Sequence, residues 1–415
     1  MSFSSCVCPH FMKCKRTFKY LMCTVIVYSV TFSIVLPILC QRLPYSRYFM
    51  PNKDQDFQLV LEANDNRIKA SESYLKTLDP ASTLGKYSLG SEAVHIVVGV
   101  VTVARTKNRH KDISPKYLTQ TLSRVEQGLR RQNFGHNNKI FICNVDVDPA
   151  DNTEAIELSK YFPMVNNSKT DFKQKPDSLH NILTKENDDY AFCLNVASTY
   201  KSKYVLLLQD DALPHENFYE ILNDVLEHQV ESYMYKGEYV SRDEKWAFLK
   251  LNFPTPHAGF TRNFWFAMEG IAITSTAASI VALAYDVMWR QRSKARLQWT
   301  YYVFLASFVY IAILCHVIGR QMFLQYRGLI SYMYSIRPAT SCCITAVLYP
   351  SSEIPDIVNY LNDVEDGYAV DFALADYVTA AQSKQYLLVP NLFTHIGMFS
   401  SLHTKTLSFV EFYIP

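Results

Sequence analysis

From His95 onward the chain alternates between runs of β-branched apolar residues and stretches with helical spacing. His95 to Arg105 is too long and too uniformly apolar for a half-exposed strand, so it predicts a central parallel strand buried on both faces. Tyr117 to Gln132 follows with Leu118, Leu122, Val125 and Leu129 on one helical face. A second apolar strand, Lys139 to Val145, ends in Asp146-Val-Asp148-Pro149. Glu186 to Tyr200 reads as helix, Lys203 to Leu208 as a short buried strand, His215 to Glu227 as helix and Trp246 to Leu251 as strand. After Arg320 come a strand at Cys342 to Tyr349, helices at Ser352 to Asn362 and around Asp371 to Ala381, and a last strand at Tyr386 to Phe393. Strand alternating with helix predicts an α/β fold with a mostly parallel central sheet and helices on both faces.

Three longer apolar stretches break this pattern. Tyr20 to Cys40 is uncharged and matches the ~20 residues that a helix needs to cross a bilayer. Lys13, Lys15, Arg16 and Lys19 precede it without an acid, which predicts a signal-anchor helix with a cytosolic N-terminus and a lumenal remainder. Phe264 to Met288 and Trp299 to Gly319 are joined by a link holding Arg290, Arg292, Lys294 and Arg296, the basic turn that a hairpin returning to the cytosol requires. The competing reading is a pair of buried core helices, because Glu269 and Asp286 shorten the first stretch and intramembrane carboxylates are costly. Residues 321–415 offer only two good strands, too few for a domain, but joined to 95–262 they complete one. The predicted organisation is a cytosolic tail at 1–19, an anchor at 20–40 and a polar, mostly non-periodic lumenal stem at 41–94. The halves of one catalytic domain then lie at 95–262 and 321–415, around a transmembrane hairpin at 263–320.

A net charge of +2 in 415 residues, with no basic block interleaved with aromatics, argues against nucleic acid as a partner. A transporter is disfavoured by three spans and extensive strand-helix alternation. Of the ten cysteines, Cys143, Cys193, Cys342 and Cys343 fall in the lumenal part, where one or two disulfides of undetermined connectivity are expected. No Cys/His spacing indicates zinc. Asn166-Asn167-Ser168 is a glycosylation sequon in keeping with a lumenal location, and Cys6, Cys8 and Cys14 are candidates for acylation on the tail.

The chemistry centres on Gln209-Asp210-Asp211-Ala212, at the end of a buried strand, where open parallel sheets bind ligands. Two adjacent carboxylates there call for neutralisation, which a hard divalent cation shared with phosphate oxygens supplies. The plainer alternative is a cap for the helix near His215.

This strand, its acids and the following Ala-Leu-Pro resemble the GT-A glycosyltransferases, whose D-x-D or E-D-D motif occupies this place. With an anchor and a GT-A-like domain split by a tandem transmembrane hairpin, the layout resembles the Golgi GPI N-acetylgalactosamine transferase family over nearly the whole chain. Its motifs are Val101-Thr-Val-Ala-Arg105, Leu208-Gln-Asp-Asp-Ala212 and Pro390-Asn-Leu-Phe-Thr-His-Ile-Gly397. Thr184 to Tyr190 and the Leu-Phe-x-His-x-Gly ending are also similar to the branching N-acetylglucosaminyltransferases of N-glycan synthesis.

The resemblance implies transfer of N-acetylgalactosamine from UDP-GalNAc to the glycan core of GPI anchors in the Golgi lumen, inverting and assisted by a divalent metal, Mn2+ first. It places Arg105, Lys185, Asp189, Gln209 and Asp210 at the nucleotide, Asp211 and His395 at the metal and Asp371 as the base, with Asp376 and Glu365 in reserve. Gln209 stands where the family usually has an acid, so a ribose contact there would be an amide hydrogen bond and the site carries one negative charge fewer. Each residue also has an ordinary structural reading. Arg105 is a solvated strand-end charge, Lys185 and Asp189 a helix-start pair, His395 a core histidine and Asp371 an N-cap. The functional alternatives are an N-glycan branching N-acetylglucosaminyltransferase and a catalytically inert lumenal protein that binds glycan or nucleotide sugar on the same scaffold.

Overall fold

The apolar runs pair side by side in the computed structural model, which describes residues 9–105, 114–131, 134–167, 178–231, 245–260, 264–288 and 296–399. The strands are β1 (Val94–Thr102), β2 (Lys139–Asn144), β3 (Met164–Asn166), β4 (Ser202–Gln209), β5 (Ala212–Pro214), β6 (Trp246–Lys250), β7 (Ser335–Pro338), β8 (Ala346–Pro350), β9 (Lys384–Val389) and β10 (Phe393–His395). Eight of them form one sheet in the order β3-β2-β1-β4-β8-β6-β9-β7, and β10 pairs with β5 in a separate ribbon. The neighbours β3-β2, β2-β1, β1-β4 and β6-β9 are parallel, while β4-β8, β8-β6 and β9-β7 are antiparallel. The sheet is therefore mixed, because β8 starts beside the end of β4, where the Gln209 amide donates to the Thr345 carbonyl at 2.9 Å, and runs back.

Period-two alternation divides the buried side chains between the two faces. Ile96, Val98 and Val100 of β1 pack with Leu118, Leu122 and Val125 of the helix Tyr117–Arg131. Val97 packs with Phe141 and Leu207 against Leu194, Ile357 and Leu374 from helices on the other face. A Cys143–Cys193 disulfide, with Cα atoms 6.0 Å apart, ties β2 to the helix Leu179–Ser198. A second joins the adjacent Cys342 and Cys343.

The chain divides into two units. One holds the chain up to Asn52 together with Thr255–Phe323, and the other holds Lys53–Pro254 and everything from Leu324. In the first, the N-terminal helix runs from Pro9 through a π-turn at Thr31–Val35 to Cys40. Its Tyr28 hydroxyl donates to the Ala306 carbonyl at 2.7 Å, and its ring meets Tyr310 at 5.0 Å between centroids. Three helices, Leu21–Cys40, Phe264–Met288 and Gln298–Ile318, are long and apolar enough to span a membrane. Only 17% and 11% of the most apolar stretches of the latter two helices are buried, which excludes the soluble-core reading and points to a multi-pass membrane protein. Glu269 is neutralised by Arg320, whose guanidinium donates to it at 2.8 and 3.1 Å and lies 3.9 Å over the Phe266 ring.

Several expectations are corrected. The polar stretch before β1 is not irregular: Lys53–Leu75 and Pro80–Tyr87 are helices, and the first packs on Tyr117–Arg131 through Asn64–Gln120 (2.9 Å) and Arg67–Gln120 (2.8 Å) hydrogen bonds. Its packing face mixes the apolar Val60 and Leu75 with the polar Asp56, Asn64 and Ser71, so the apolar periodicity is interrupted. Among the described residues, the part after the hairpin supplies four strands, not two, since β7 is a short edge strand and the last apolar run divides at Pro390 into β9 and β10. The helix expected from Glu186 begins at Leu179, where the Ser178 side chain caps it. Cys6, Cys8, Ser168 of the sequon and Arg290, Arg292 and Lys294 of the link lie outside the described residues.

Candidate functional site

The carboxyl ends of β1, β2, β3 and β4 lie along one edge of the sheet, because these strands are parallel neighbours. Just beyond β1, Arg105 bonds to both carboxylates that follow β4, reaching Asp210 Oδ1 by a charge-assisted hydrogen bond and Asp211 Oδ2 at 3.0 Å. Its other terminal nitrogen donates to the Phe399 carbonyl, and its plane lies 4.8 Å over the Tyr117 ring. Thr102 Oγ1 donates to Asp210 Oδ2 at 2.9 Å. The β10-β5 ribbon sets His395 opposite Ala212, which brings its Nε2 within 3.3 Å of Asp211 Oδ2.

Asp210 and Asp211 are buried, and the Arg105 side chain is only 10% exposed. Burial opposes the Arg105 cation, but Asp210 and Asp211 outweigh it and hold the guanidinium protonated. Burial raises the Asp210 carboxyl above its ordinary range despite Arg105. At Asp211 burial acts in the same direction, yet His395 and Arg105 together hold that carboxyl well below its usual value. The neutralisation assigned to a metal on sequence grounds is thus partly supplied by an arginine. The acids do not cap the following helix: it starts at Phe218, with Asn217 at its N-cap.

Among the described residues no group of three or more His, Cys, Asp or Glu side chains forms a complete metal centre. A smaller donor set does fit a hard cation shared with a diphosphate. Asp211 Oδ1 is buried with no hydrogen-bond partner among the described residues, and the His395 ring adjoins the same carboxylate. Gly397 keeps that place open, since a Cβ there would lie 2.0 Å from Asp211 Oδ2 and 2.8 Å from His395 Nε2. Two protein ligands, with the remainder from phosphate and water, is the usual supply for magnesium-like ions.

Lys185 and Asp189 form a second cluster on the same edge. Lys185 Nζ donates to the Val145 carbonyl beyond β2 at 2.6 Å and to Asp189, which also accepts from Asn167 beyond β3 at 3.0 Å. Burial pushes Asp189 up to about 6, against Lys185 and Asn167. The pair is mid-helix, not at a helix start, and it clamps the ends of two strands. Gln209 closes β4.

Asp371 belongs to a third group. It sits in the first turn of the helix Val370–Ala380, whose N-cap is Ala369, so the capping reading of Asp371 is corrected. Its Oδ2 accepts from the Cys343 amide at 3.3 Å, two residues before Thr345, which meets Gln209. The turn leading to it is pinned to the helix Leu179–Ser198, where Thr184 accepts from the Gly367 amide at 2.8 Å and Asn187 donates to the Tyr368 carbonyl. Between those two anchors lies Glu186, pushed up to about 7 by burial, then by Asp371 and Asp189. Lys250 is depressed to about 8 by burial, with Asp371 opposing, and its ammonium donates to the Thr340 and Cys342 carbonyls at 2.9 and 2.8 Å. Asp376 accepts from the exposed Tyr368 hydroxyl at 2.6 Å.

Arg105, Asp210, Asp211 and His395 thus come together directly, whereas Lys185-Asp189 and Asp371 join them through the strand ends. Sequence reasoning missed Thr102, Tyr117, Asn167 and Glu186 as members. It also passed over Asp146, which accepts from the Ala104 amide, although an acid closing an apolar strand is the signal that singled out Asp210.

An α/β sheet with buried charges gathered beyond its parallel strand ends, in a chain that also carries three candidate spans, defines a membrane-associated enzyme of the ligand-at-the-edge class. The family model described as GPI-N-acetylgalactosamine transferase PGAP4 matches residues 96–394, and the chain belongs to that family. It is a glycosyltransferase that places N-acetylgalactosamine on GPI, with UDP-GalNAc as the donor the family implies. The N-glycan branching and inert-binder alternatives give way to this assignment.

Proposed function

We propose that UDP-GalNAc binds across the carboxyl ends of β1 and β4 on a GT-A-like scaffold, in the Golgi lumen, and that the sugar is transferred with inversion. The observation that carries this reading is the cluster of Arg105, Asp210, Asp211 and His395, with one Asp211 oxygen buried and unpartnered among the described residues. Asp211 and His395 would hold a divalent ion, Mn2+ first, which supplies Lewis-acid stabilisation of the departing diphosphate. Arg105 shifts part of its hydrogen bonding from the carboxylates to the diphosphate, its planar fork serving either partner. Asp210, held by Thr102 and Arg105, keeps that guanidinium aimed along the edge. Gln209 offers an amide to the ribose, and Lys185 with Asp189 keeps the ends of β2 and β3 in place around the nucleotide.

Asp371 takes the proton from the acceptor hydroxyl as it attacks the anomeric carbon, while the carbon–oxygen bond to UDP breaks on the opposite side. The Cys343 and Phe372 amides orient its carboxylate, at 3.3 and 3.0 Å. Glu186, with a raised affinity for protons, is well matched to receive or buffer that proton near neutral pH. The decisive experiment pairs Asp211→Asn with Asp371→Asn in the full chain. Asp211→Asn should abolish Mn-dependent UDP binding, and Asp371→Asn should lower kcat by about 10²–10⁴ while leaving UDP binding intact. Loss of UDP binding in both, or in neither, overturns the division of roles.

A further inference from the structure

Beyond its donor site, the soluble unit carries an apolar loop that no step of the reaction uses. Leu329 and Tyr332 are 80% and 89% exposed, and Tyr326, Ile330 and Met333 beside them are also exposed. Such large side chains facing water together are unfavourable unless something covers them. We propose that this loop, Tyr326–Met333, seats itself in the interfacial layer of the bilayer, where it helps to present the lipid-borne acceptor.

Three independent features fit lipid as the occupant. The loop satisfies its own backbone: the Gly328, Leu329 and Ile330 amides donate to Leu324, Tyr326 and Arg327 carbonyls at 3.0, 3.3 and 3.1 Å. Met333 and Tyr334 close the turn on Ile330 and Ser331, while Arg327 and the Tyr334 hydroxyl donate to the Met333 and Gly328 carbonyls. The interfacial layer holds less water than bulk, so a segment that meets most of its backbone hydrogen bonds within a few residues enters it at lower cost. The second feature is tether length. The candidate span Gln298–Ile318 ends shortly before the loop, and the helix Arg320–Arg327 fills most of the gap. At helical and extended rises the chain holds Leu329 within roughly 25 Å of the end of that span. The third is composition. Tyrosines are favoured at the headgroup level, and from Arg320 to Ser352 the sequence has arginines but no Asp or Glu, so nothing acidic in this segment repels phosphate.

The proposal rests on the apolar helices crossing a bilayer, and the test reads that separately. The full chain is reconstituted in phosphatidylcholine nanodiscs containing a lipid with a photoactivatable group near the headgroup, and adducts are mapped by mass spectrometry. Adducts on Phe264–Met288 and Gln298–Ile318 report the spans, and adducts on 326–333, reduced in Leu329→Ser/Tyr332→Ser, report the loop. In the same variant KM for a lipid-bearing GPI acceptor should rise roughly tenfold, less than full burial of two apolar side chains would supply because the interfacial layer removes only part of their surface from water, while turnover of a water-soluble GPI glycan and KM for UDP-GalNAc stay unchanged. Labelled spans with an unlabelled loop, or equal losses on both acceptors, overturn the proposal. So does a wild-type dimer that the two serines dissociate, because the loop would then be covered by a second copy of the chain.

Discussion

His395 Nε2 lies 3.3 Å from Asp211 Oδ2, although the two apolar hairpin helices separate these residues along the chain. The contact exists because β10 pairs antiparallel with β5, setting His395 opposite Ala212, and because the Ile396 amide donates to the Asp211 carbonyl at 2.9 Å. Strands on both sides of the hairpin therefore build one edge.

Arg105 is the first residue to test. Truncation to alanine leaves Asp210 and Asp211 buried and mutually repelling, and breaking such a pair costs about 3–5 kcal/mol. Arg105→Ala is expected to lower the melting temperature of the purified chain and to raise KM for UDP-GalNAc. Arg105→Lys should restore part of the stability, since one ammonium neutralises charge without spanning both carboxylates. Thermal unfolding and donor titration check both, and equal stability in all three proteins would refute the bridge.

Gly397 needs no left-handed backbone here, only space. Its Cβ in Gly397→Ala would meet Asp211 Oδ2 at 2.0 Å, so the carboxylate must turn away from His395. Catalytic efficiency is expected to drop about a hundredfold, as misplacement by an ångström near reacting groups commonly does, with a smaller change in melting temperature. Circular dichroism melts and initial rates at saturating Mn2+ separate the two effects.

Glu186 predicts a pH dependence. Its folded value of about 7 lies above its ordinary 4.5, so the folded state binds the proton more tightly. Its contribution to stability is full below 4.5 and is lost as pH rises through about 7. Glu186→Gln should flatten that part of the stability profile, measured by denaturant unfolding at stepped pH. An unchanged slope would show that burial and Asp371 do not act on this carboxyl as described.

The Cys143–Cys193 bridge joins β2 to the helix that carries Lys185, Glu186 and Asp189. Replacing both cysteines by alanine is expected to cost about 2–4 kcal/mol and to loosen the second cluster, seen as a higher KM for the donor. Peptide mapping without reductant checks the pairing itself.

Local pattern made much of this legible. β1, β2 and β4 announce themselves because strands buried on both faces are nearly pure apolar runs. Asp210 and Asp211 stand out because charge at the end of such a run is unusual. The helix Lys53–Leu75 is less legible because the buried polar residues Asp56, Asn64 and Ser71 interrupt the apolar positions, Val60 and Leu75, through which it also packs. β3 and β7, three and four residues long, are defined by their partners more than by their own residues.

The sequence by itself determined the type of the strongly apolar elements, the three apolar helices and the acids that end β4, since hydrophobic period and charge are local properties. Only the tertiary structure decided that β8 runs antiparallel, that Arg105 bridges the two acids, that His395 faces Asp211 and that Glu186 shares a neighbourhood with Asp371. Such pairings depend on which strand ends become neighbours, and register across a sheet is set by the packing of the whole domain.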